Sequence, residues 1–357
     1  MQNERLITFA EAIREATELA MREDSRVIVL GEGVPDPKAI FETTRGLQEI
    51  FGKERVFDTP VSENALSGMI IGMTIQGFKP ILVHQRIDFS LLGFDQIVNN
   101  AAKWYSMFGG QRSCPIVVRV LVGKGWGQGN QHSQNLQTLY AHIPGLKVIA
   151  PSSAFEAKGL LLSAIKDANP VIFIEHRWLH HTISHVPQEV YQLELDQCKI
   201  VQEGKDITIV TNSSMYVESL KATQYLESEG VSVELIDLRS IAPLDYSTIK
   251  KSLMKTQRLV VVDGSWRHLG IAGEILARVS EDEEVQLKRN PKRITWPDHS
   301  IPSSPSLAAE FYPGVLEIYR TSKKMVGEIR RDTEELILIE ESKKPKDVPD
   351  RSYIGPF

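Results

Sequence analysis

Glu63 opens a helical pattern directly after Pro60 and Ser62, in Phe57-Asp58-Thr59-Pro60-Val61-Ser62-Glu63-Asn64. Ser62 can serve as N-cap, which puts the carboxylate in the first turn of a helix that continues through the small residues Ala65, Ser67, Gly68 and Gly72. The helix dipole there favours the anion and burial favours the protonated acid, so their balance sets a working pKa for proton transfer. A first-turn glutamate also serves stability alone, and local sequence does not separate the two readings. His132 follows a glycine-rich loop (Gly123–Gly129) and is flanked by the amides Gln131 and Gln134. An imidazole titrates near neutrality, so this is either an acid/base position or an ordinary loop histidine. Phe89, in Gln85-Arg86-Ile87-Asp88-Phe89, is either core or a platform for a flat ring.

Other polar residues have simpler readings. His176, His180, His181 and His185 crowd one stretch, but their spacings match no metal motif. His84 and His142 read as packing or turn residues. Asp167 and Asn169 form a polar turn between a helix and a strand. The loop at 123–129 lacks the G-K-[ST] ending of a phosphate loop, and no G-x-G-x-x-G opens a helix after the first strand.

These residues need a scaffold, and the hydrophobic pattern supplies one. Thr8 with Glu11 reads as a capping box before an amphipathic helix to about Met21. Apolar runs at 26–32, 55–58, 80–84, 115–121, 147–150 and 171–175 alternate with helical patterns at 42–51, 63–76, 93–107 and 154–166. Strands that are nearly all apolar and alternate with helices predict a parallel sheet covered on both faces. The alternation thins over 176–203 and resumes with strands at 207–211, 231–238, 259–263 and 293–296 and helices at 215–229, 245–255 and 270–279. The expectation is α/β, two doubly wound domains: 1–190, a linker 191–204, a smaller domain 205–331, and a C-terminal extension 332–357 whose tail from Glu340 on is charged and most simply solvated.

The 357 residues carry a net charge of −5, which gives no electrostatic reason to expect nucleic acid or an anionic membrane. No apolar run approaches the roughly 18 residues of a membrane span, and acidic residues stand where a targeting peptide would avoid them. Cys114 and Cys198 fit no disulfide or metal spacing, so a cytoplasmic, reducing location is expected.

Taken together, FDTPVSENA, GFDQIVNNAAKWYSMFGGQ, CPIVVR, the glycine loop into QHSQ, HIPGLKVIAPS, EAKGLLLSAIKDANPVIFIE, VELIDLRSIAPLD and RLVVVD resemble the beta subunit of the first component of 2-oxo acid dehydrogenases. The resemblance is collinear from about residue 4 to 330. It implies a transketolase-like pyrimidine-binding domain, a transketolase C-terminal domain, and thiamine diphosphate as cofactor. By that resemblance Glu63 is the catalytic glutamate on the aminopyrimidine, where a carboxylate favours the imino tautomer whose nitrogen can remove the thiazolium C2 proton. Phe89 would pack on the pyrimidine, Gln85 would line the same pocket, and His132 would be the active-site histidine serving the 2-oxo acid and the lipoyl acceptor. Ile116, Ala164, Ile165, Asp167 and Asn169 match positions that bind a structural potassium, largely through backbone oxygens.

The diphosphate and its magnesium are usually held by a G-D-G…N sequence, which these residues lack. In the family that half of the site belongs to an alpha subunit, so the resemblance implies a heterotetramer of two alpha and two beta chains that works with a lipoyl acyltransferase. The sequence departs from the family pattern at Gly31-Glu32-Gly33-Val34-Pro35-Asp36-Pro37, at Arg86, at Trp126 and in the length of its end. Arg86 and Trp126 stand close in sequence to Phe89 and His132, which leaves open a relative that forms carbon–carbon bonds from an activated aldehyde. A scaffold subunit without catalysis fits least, given that Glu63, Phe89 and His132 occur together.

Overall fold

Thr8 caps the first helix, Phe9–Glu23, as its pattern predicts. Its hydroxyl accepts from the Glu11 N–H and the Glu11 carboxylate accepts from the Thr8 N–H, a reciprocal cap on two otherwise unpaired donors. The helix lays Phe9, Ile13, Ala16 and Ala20 into the core and packs on the Ala154–Lys166 helix. These positions come from a computed structural model, which describes residues 5–327, 331–343 and 345–348.

The strands in chain order are β1 (Leu6–Thr8), β2 (Val27–Leu30), β3 (Val56–Phe57), β4 (Lys79–His84), β5 (Val117–Val122), β6 (Lys147–Ile149), β7 (Val171–His176) and β8 (Ile183–His185), then β9 (Lys199–Gln202), β10 (Ile207–Thr211), β11 (Val233–Asp237), β12 (Ser240–Ala242), β13 (Leu259–Trp266) and β14 (Lys292–Trp296). A seven-stranded sheet runs β12-β6-β7-β5-β4-β2-β3, parallel except for β12. Every residue of β2, β5 and β7 is buried, as a sheet covered on both faces requires. Alternate residues serve opposite cores: Leu30, Leu82, Val118 and Ile172 on one side, Val29, Ile81, Val117 and Phe173 on the other.

The five-stranded second sheet runs β14-β13-β10-β11-β9, with β9 antiparallel at its edge. The two domains share more than a surface. β12, which follows β11 in the chain, crosses to the first sheet and pairs with β6, Ser240 opposite Ile149 and Ala242 opposite Val148. One hydrophobic core runs from Leu30 and Val118 through to Ile236 and Ile249.

Several elements differ from the pattern-based expectation. The 191–204 stretch is not all connector, since it contains β9. Of the helix expected at 42–51, only Leu47–Phe51 is helical; Ala39, Ile40, Phe41 and Glu42 all take positive φ, a left-handed path that no glycine there announces. The rod expected at 93–107 begins at Ile87 and is a series of short turns with a π turn at Gln96–Asn100. Gly93 lets it rest on the Glu63–Ile75 helix, because a Cβ there would lie 2.9 Å from the Glu63 carbonyl oxygen and closer still to Ser67 Oγ. The C-terminal extension opens with a helix, Arg331–Ser342, that buries Ile337; of the tail expected to be solvated from Glu340 on, Asp347 is buried, while 344 and 349–357 lie outside the described residues.

Candidate active site

The candidate residues follow the carboxyl ends of the parallel strands, where open α/β sheets leave a crevice for ligands. Glu32 and Gly33 follow β2, Asp58 to Glu63 follow β3, Gln85 to Phe89 follow β4, and the glycine loop to His132 follows β5. Two glycines set the first of these loops. Gly31 lies on β4 so closely that a Cβ would stand 2.3 Å from the Val83 carbonyl oxygen, and Gly33 turns at φ +73° to donate its N–H to Asp58 Oδ1 at 2.8 Å.

That tie brings two carboxyl groups together. Glu63 begins its helix and is only 7% exposed. Ser62 stands at the N-cap position, yet its hydroxyl makes no capping bond. Among the described residues no side chain donates a hydrogen bond to the Glu63 carboxylate, which leaves a largely enclosed acceptor open to a ligand donor. The Glu32 carboxyl is pushed up, first by burial and then by the negative charges of Glu63 and Asp58. Gln85 Nε2 donates to the Glu32 carbonyl oxygen at 3.1 Å, which ties the loop after β4 to the residue whose carboxyl feels the Glu63 charge.

Phe89 and His132 meet edge to face, with ring centroids 5.4 Å apart and planes at 86°. The pairing is held from both chain segments. Asp88 Oδ1 accepts from Gln134 Nε2 at 2.9 Å and from the Gln134 backbone N–H at 3.4 Å. Burial raises the Asp88 carboxyl, and these bonds oppose that rise. Just beyond, Asn135 Nδ2 donates to the Gly264 carbonyl oxygen at 2.9 Å and Gln137 Nε2 to Asp263 Oδ1 at 2.7 Å, which moors the histidine segment to β13 of the second domain. Sequence reasoning missed Glu32, Asp88, Asn135 and Gln137. The amide-rich run after the glycine loop was the available signal, and it pointed to His132 rather than to its moorings.

The two departures have distinct surroundings. Arg86 is buried, donates to the Gln85 carbonyl oxygen at 2.7 Å and to Gln128 Oε1 at 3.3 Å, and lies over the Phe41 ring at 5.3 Å. It thus joins the β4 loop to the glycine loop. Trp126 stacks edge-on to Trp178 with centroids 6.0 Å apart.

The residues expected to hold potassium gather at one corner of the sheet. The Cys114 N–H donates to the Ala168 carbonyl oxygen at 3.0 Å and the Val171 N–H to that of Ile116 at 3.0 Å, which sets Ile116 beside the end of the Ala154–Lys166 helix. There Ala164 accepts from the Asp167 N–H, Asp167 Oδ1 from the Asn169 N–H, and Asp167 Oδ2 from the Lys147 ammonium. The groups at this corner are oxygens at the negative end of a helix, the donor type a hard cation takes, and the one carboxylate among them is already paired with the Lys147 ammonium. His176 and His180 are instead fully enclosed, held neutral by burial, with His180 stacked on Phe9. Among the described residues no three His, Cys, Asp or Glu side chains stand close enough to hold a metal.

This architecture is that of transketolase-like enzymes: the chain matches the transketolase pyrimidine-binding domain over residues 5–181 and the transketolase C-terminal domain over 196–318. A solved split-gene transketolase, described as an inactive beta4 tetramer, shares the fold with a TM-score of 0.71 at 20% identity, over 90% of this chain and 98% of that one. The chain belongs to the family of beta subunits of thiamine-diphosphate-dependent 2-oxo acid dehydrogenases. It is 39% identical over 319 residues to the pyruvate dehydrogenase E1 component subunit beta of Rickettsia felis, covering 89% of this chain and 98% of the relative. It is also 39% identical over 330 residues to the acetoin:2,6-dichlorophenolindophenol oxidoreductase subunit beta of Cupriavidus necator, covering 90% and 97%. No helix among the described residues is long and apolar enough to cross a membrane.

Proposed function

We propose that this chain is the beta subunit of an acyl-transferring 2-oxo acid dehydrogenase, with residues 1–190 forming the pyrimidine face of the site and 205–331 the second domain. The observation that carries this is the largely enclosed Glu63 carboxylate, which accepts from no side chain among the described residues and whose charge acts on the Glu32 carboxyl at the carboxyl ends of the strands. An aminopyrimidine ring nitrogen that carries a proton fits that acceptor. Glu63 would hold that proton, Gln85 would fix the loop of Glu32, and Phe89 would offer an apolar edge to the ring. When bound, thiamine diphosphate supplies the nucleophilic carbon that attacks the 2-oxo acid. His132, packed on Phe89, would position the acyl group and exchange a proton with it during transfer to a lipoyl domain of the acyltransferase.

An alpha subunit would hold the diphosphate and its magnesium, in a heterotetramer of two chains of each kind. Exposed apolar residues near the site support a covering partner: Val61, two positions before Glu63, is 76% exposed and Leu92, three after Phe89, is 63% exposed. Potassium at Ile116, Ala164, Ile165, Asp167 and Asn169 would stiffen the corner beneath β5 and β7. The two free cysteines support a reducing, cytoplasmic location.

The test is Glu63→Gln in the reconstituted complex. Turnover should fall by about 10²–10⁴-fold, the span of a lost acid–base contribution. Exchange of the cofactor C2 proton should slow with it. Exchange at the wild-type rate would overturn the role of Glu63.

A further inference from the structure

The glycine loop that leads to His132 is gripped by the far end of the chain. The Trp126 N–H donates to the Asp347 carbonyl oxygen at 3.0 Å. Gly125, at φ +74°, lies directly against the same oxygen: a Cβ there would stand 1.7 Å from it. This backbone-on-backbone contact exists only because residue 125 is glycine. Asp347 is 3% exposed, and the Val348 N–H closes a turn onto the Pro345 carbonyl oxygen at 3.2 Å.

The grip is anchored elsewhere. The Arg331–Ser342 helix brings the segment in, and its last turn is fastened to the second domain. Tyr225 Oη donates to Glu340 Oε2 at 2.6 Å, and Glu341 Oε1 accepts from the Leu316 N–H at 3.0 Å in the first turn of the Val315–Val326 helix. Farther along the loop, a Cβ on Gly129 would meet Ser303 Oγ. At its root, the Lys124 ammonium sits between the rings of Trp178 and Tyr312, 4.1 and 4.7 Å from their centroids. Three glycines at positive φ make this loop intrinsically free to move, namely Gly125, Gly127 and Gly129. Its order therefore comes from what touches it.

We propose that Pro345–Val348 is a positioning strap, which holds Gly125 and Trp126 so that the loop presents His132 to Phe89. The consequence for acyl transfer rests on the proposed role of His132; the mechanical claim does not. A strap of this kind acts by suppressing local opening of the loop, which hydrogen exchange reads directly.

The experiment compares the wild-type complex with one whose beta chain ends at Ser342, both assembled with the alpha chain. Amide exchange over 123–132 should quicken at least about tenfold in the truncated complex, while the 63–75 helix keeps its protection. Acyl transfer should fall about tenfold, cofactor affinity should stay within about twofold, and a peptide of residues 343–357 should restore both loop protection and transfer. Gly125→Ala in the full-length chain should give the same exchange pattern, and it carries the test if the truncated chain does not assemble. Unchanged exchange over 123–132 in these variants overturns the strap whatever the activity does. Faster exchange with undiminished acyl transfer overturns its positioning of His132. Wild-type turnover and C2-proton exchange in Glu63→Gln would overturn the proposed reaction and leave the amide-exchange result standing.

Discussion

Asp88 and Gln134 are bound to each other twice, through the Gln134 side-chain amide and its backbone N–H. Asp88 immediately precedes Phe89 and Gln134 comes two residues after His132, so this clasp fixes the two rings that face each other across the site.

Gln134→Ala removes the shorter of the two bonds and leaves the buried Asp88 carboxylate under-satisfied. Stability should drop by about 1–3 kcal/mol, the cost of a buried acceptor left without its donor. Acyl transfer should fall by about 10²-fold if the ring pair drifts by about 1 Å. Parallel measurement of kcat and melting temperature checks this; a variant less stable but fully active would show that the clasp serves folding alone.

Arg119 and Glu175 are paired on neighbouring strands with neither side chain exposed, Nε to Oε1 at 2.5 Å and Nη2 to Oε2 at 3.0 Å. Arg119 also donates to Thr43 Oγ1 at 2.7 Å. Glu175→Gln should destabilise the fold by about 3–5 kcal/mol, because it strands a buried guanidinium. Denaturant titration reads this, and a loss below about 1 kcal/mol would contradict the account.

Asp237 lies at the domain junction, where Ser152 Oγ donates to it at 2.9 Å and the Arg239 N–H at 3.3 Å. Its carboxyl is nevertheless pushed up to about 7, first by burial and then by the charge of Glu156. The folded state thus binds this proton more tightly than the unfolded chain does. Its contribution is present at low pH and is lost as pH rises from about 4 through about 7. Asp237→Asn should remove that loss, so the variant should gain on the wild type between pH 5 and pH 8. Chemical unfolding at the two pH values checks it; a gap that does not change with pH would refute it.

If potassium occupies the corner at Ile116 and Ala164–Asn169, the melting temperature should rise with KCl and not with choline chloride at equal ionic strength. A salt concentration about a hundred times the Kd would add about 2.7 kcal/mol. Identical melts in the two salts would remove the site.

Much of this was legible in the sequence, for identifiable reasons. The central strands carry continuous apolar runs, and helices such as Phe9–Glu23 and Tyr246–Thr256 bury one face, so the alternation that defines both domains could be read directly. Glu63 could be placed at its helix start because a proline and a serine precede it. What escaped depends on contacts distant in the chain. The left-handed path of Ala39–Glu42 runs against the preference of every residue in it, and nothing local distinguishes Ser240–Ala242 from an ordinary turn. Glu32 and Asp88 act through partners about 30 to 50 positions away, Glu63 and Gln134, which periodicity does not reveal.

The crossing of β12 bears on how this protein can be divided. In a fragment ending at residue 190, β6 would become a bare sheet edge, its backbone groups free to recruit a strand from another molecule. The second half of the chain thus shields the first from self-association. Cutting between the domains would liberate an aggregation-prone border rather than an independent module.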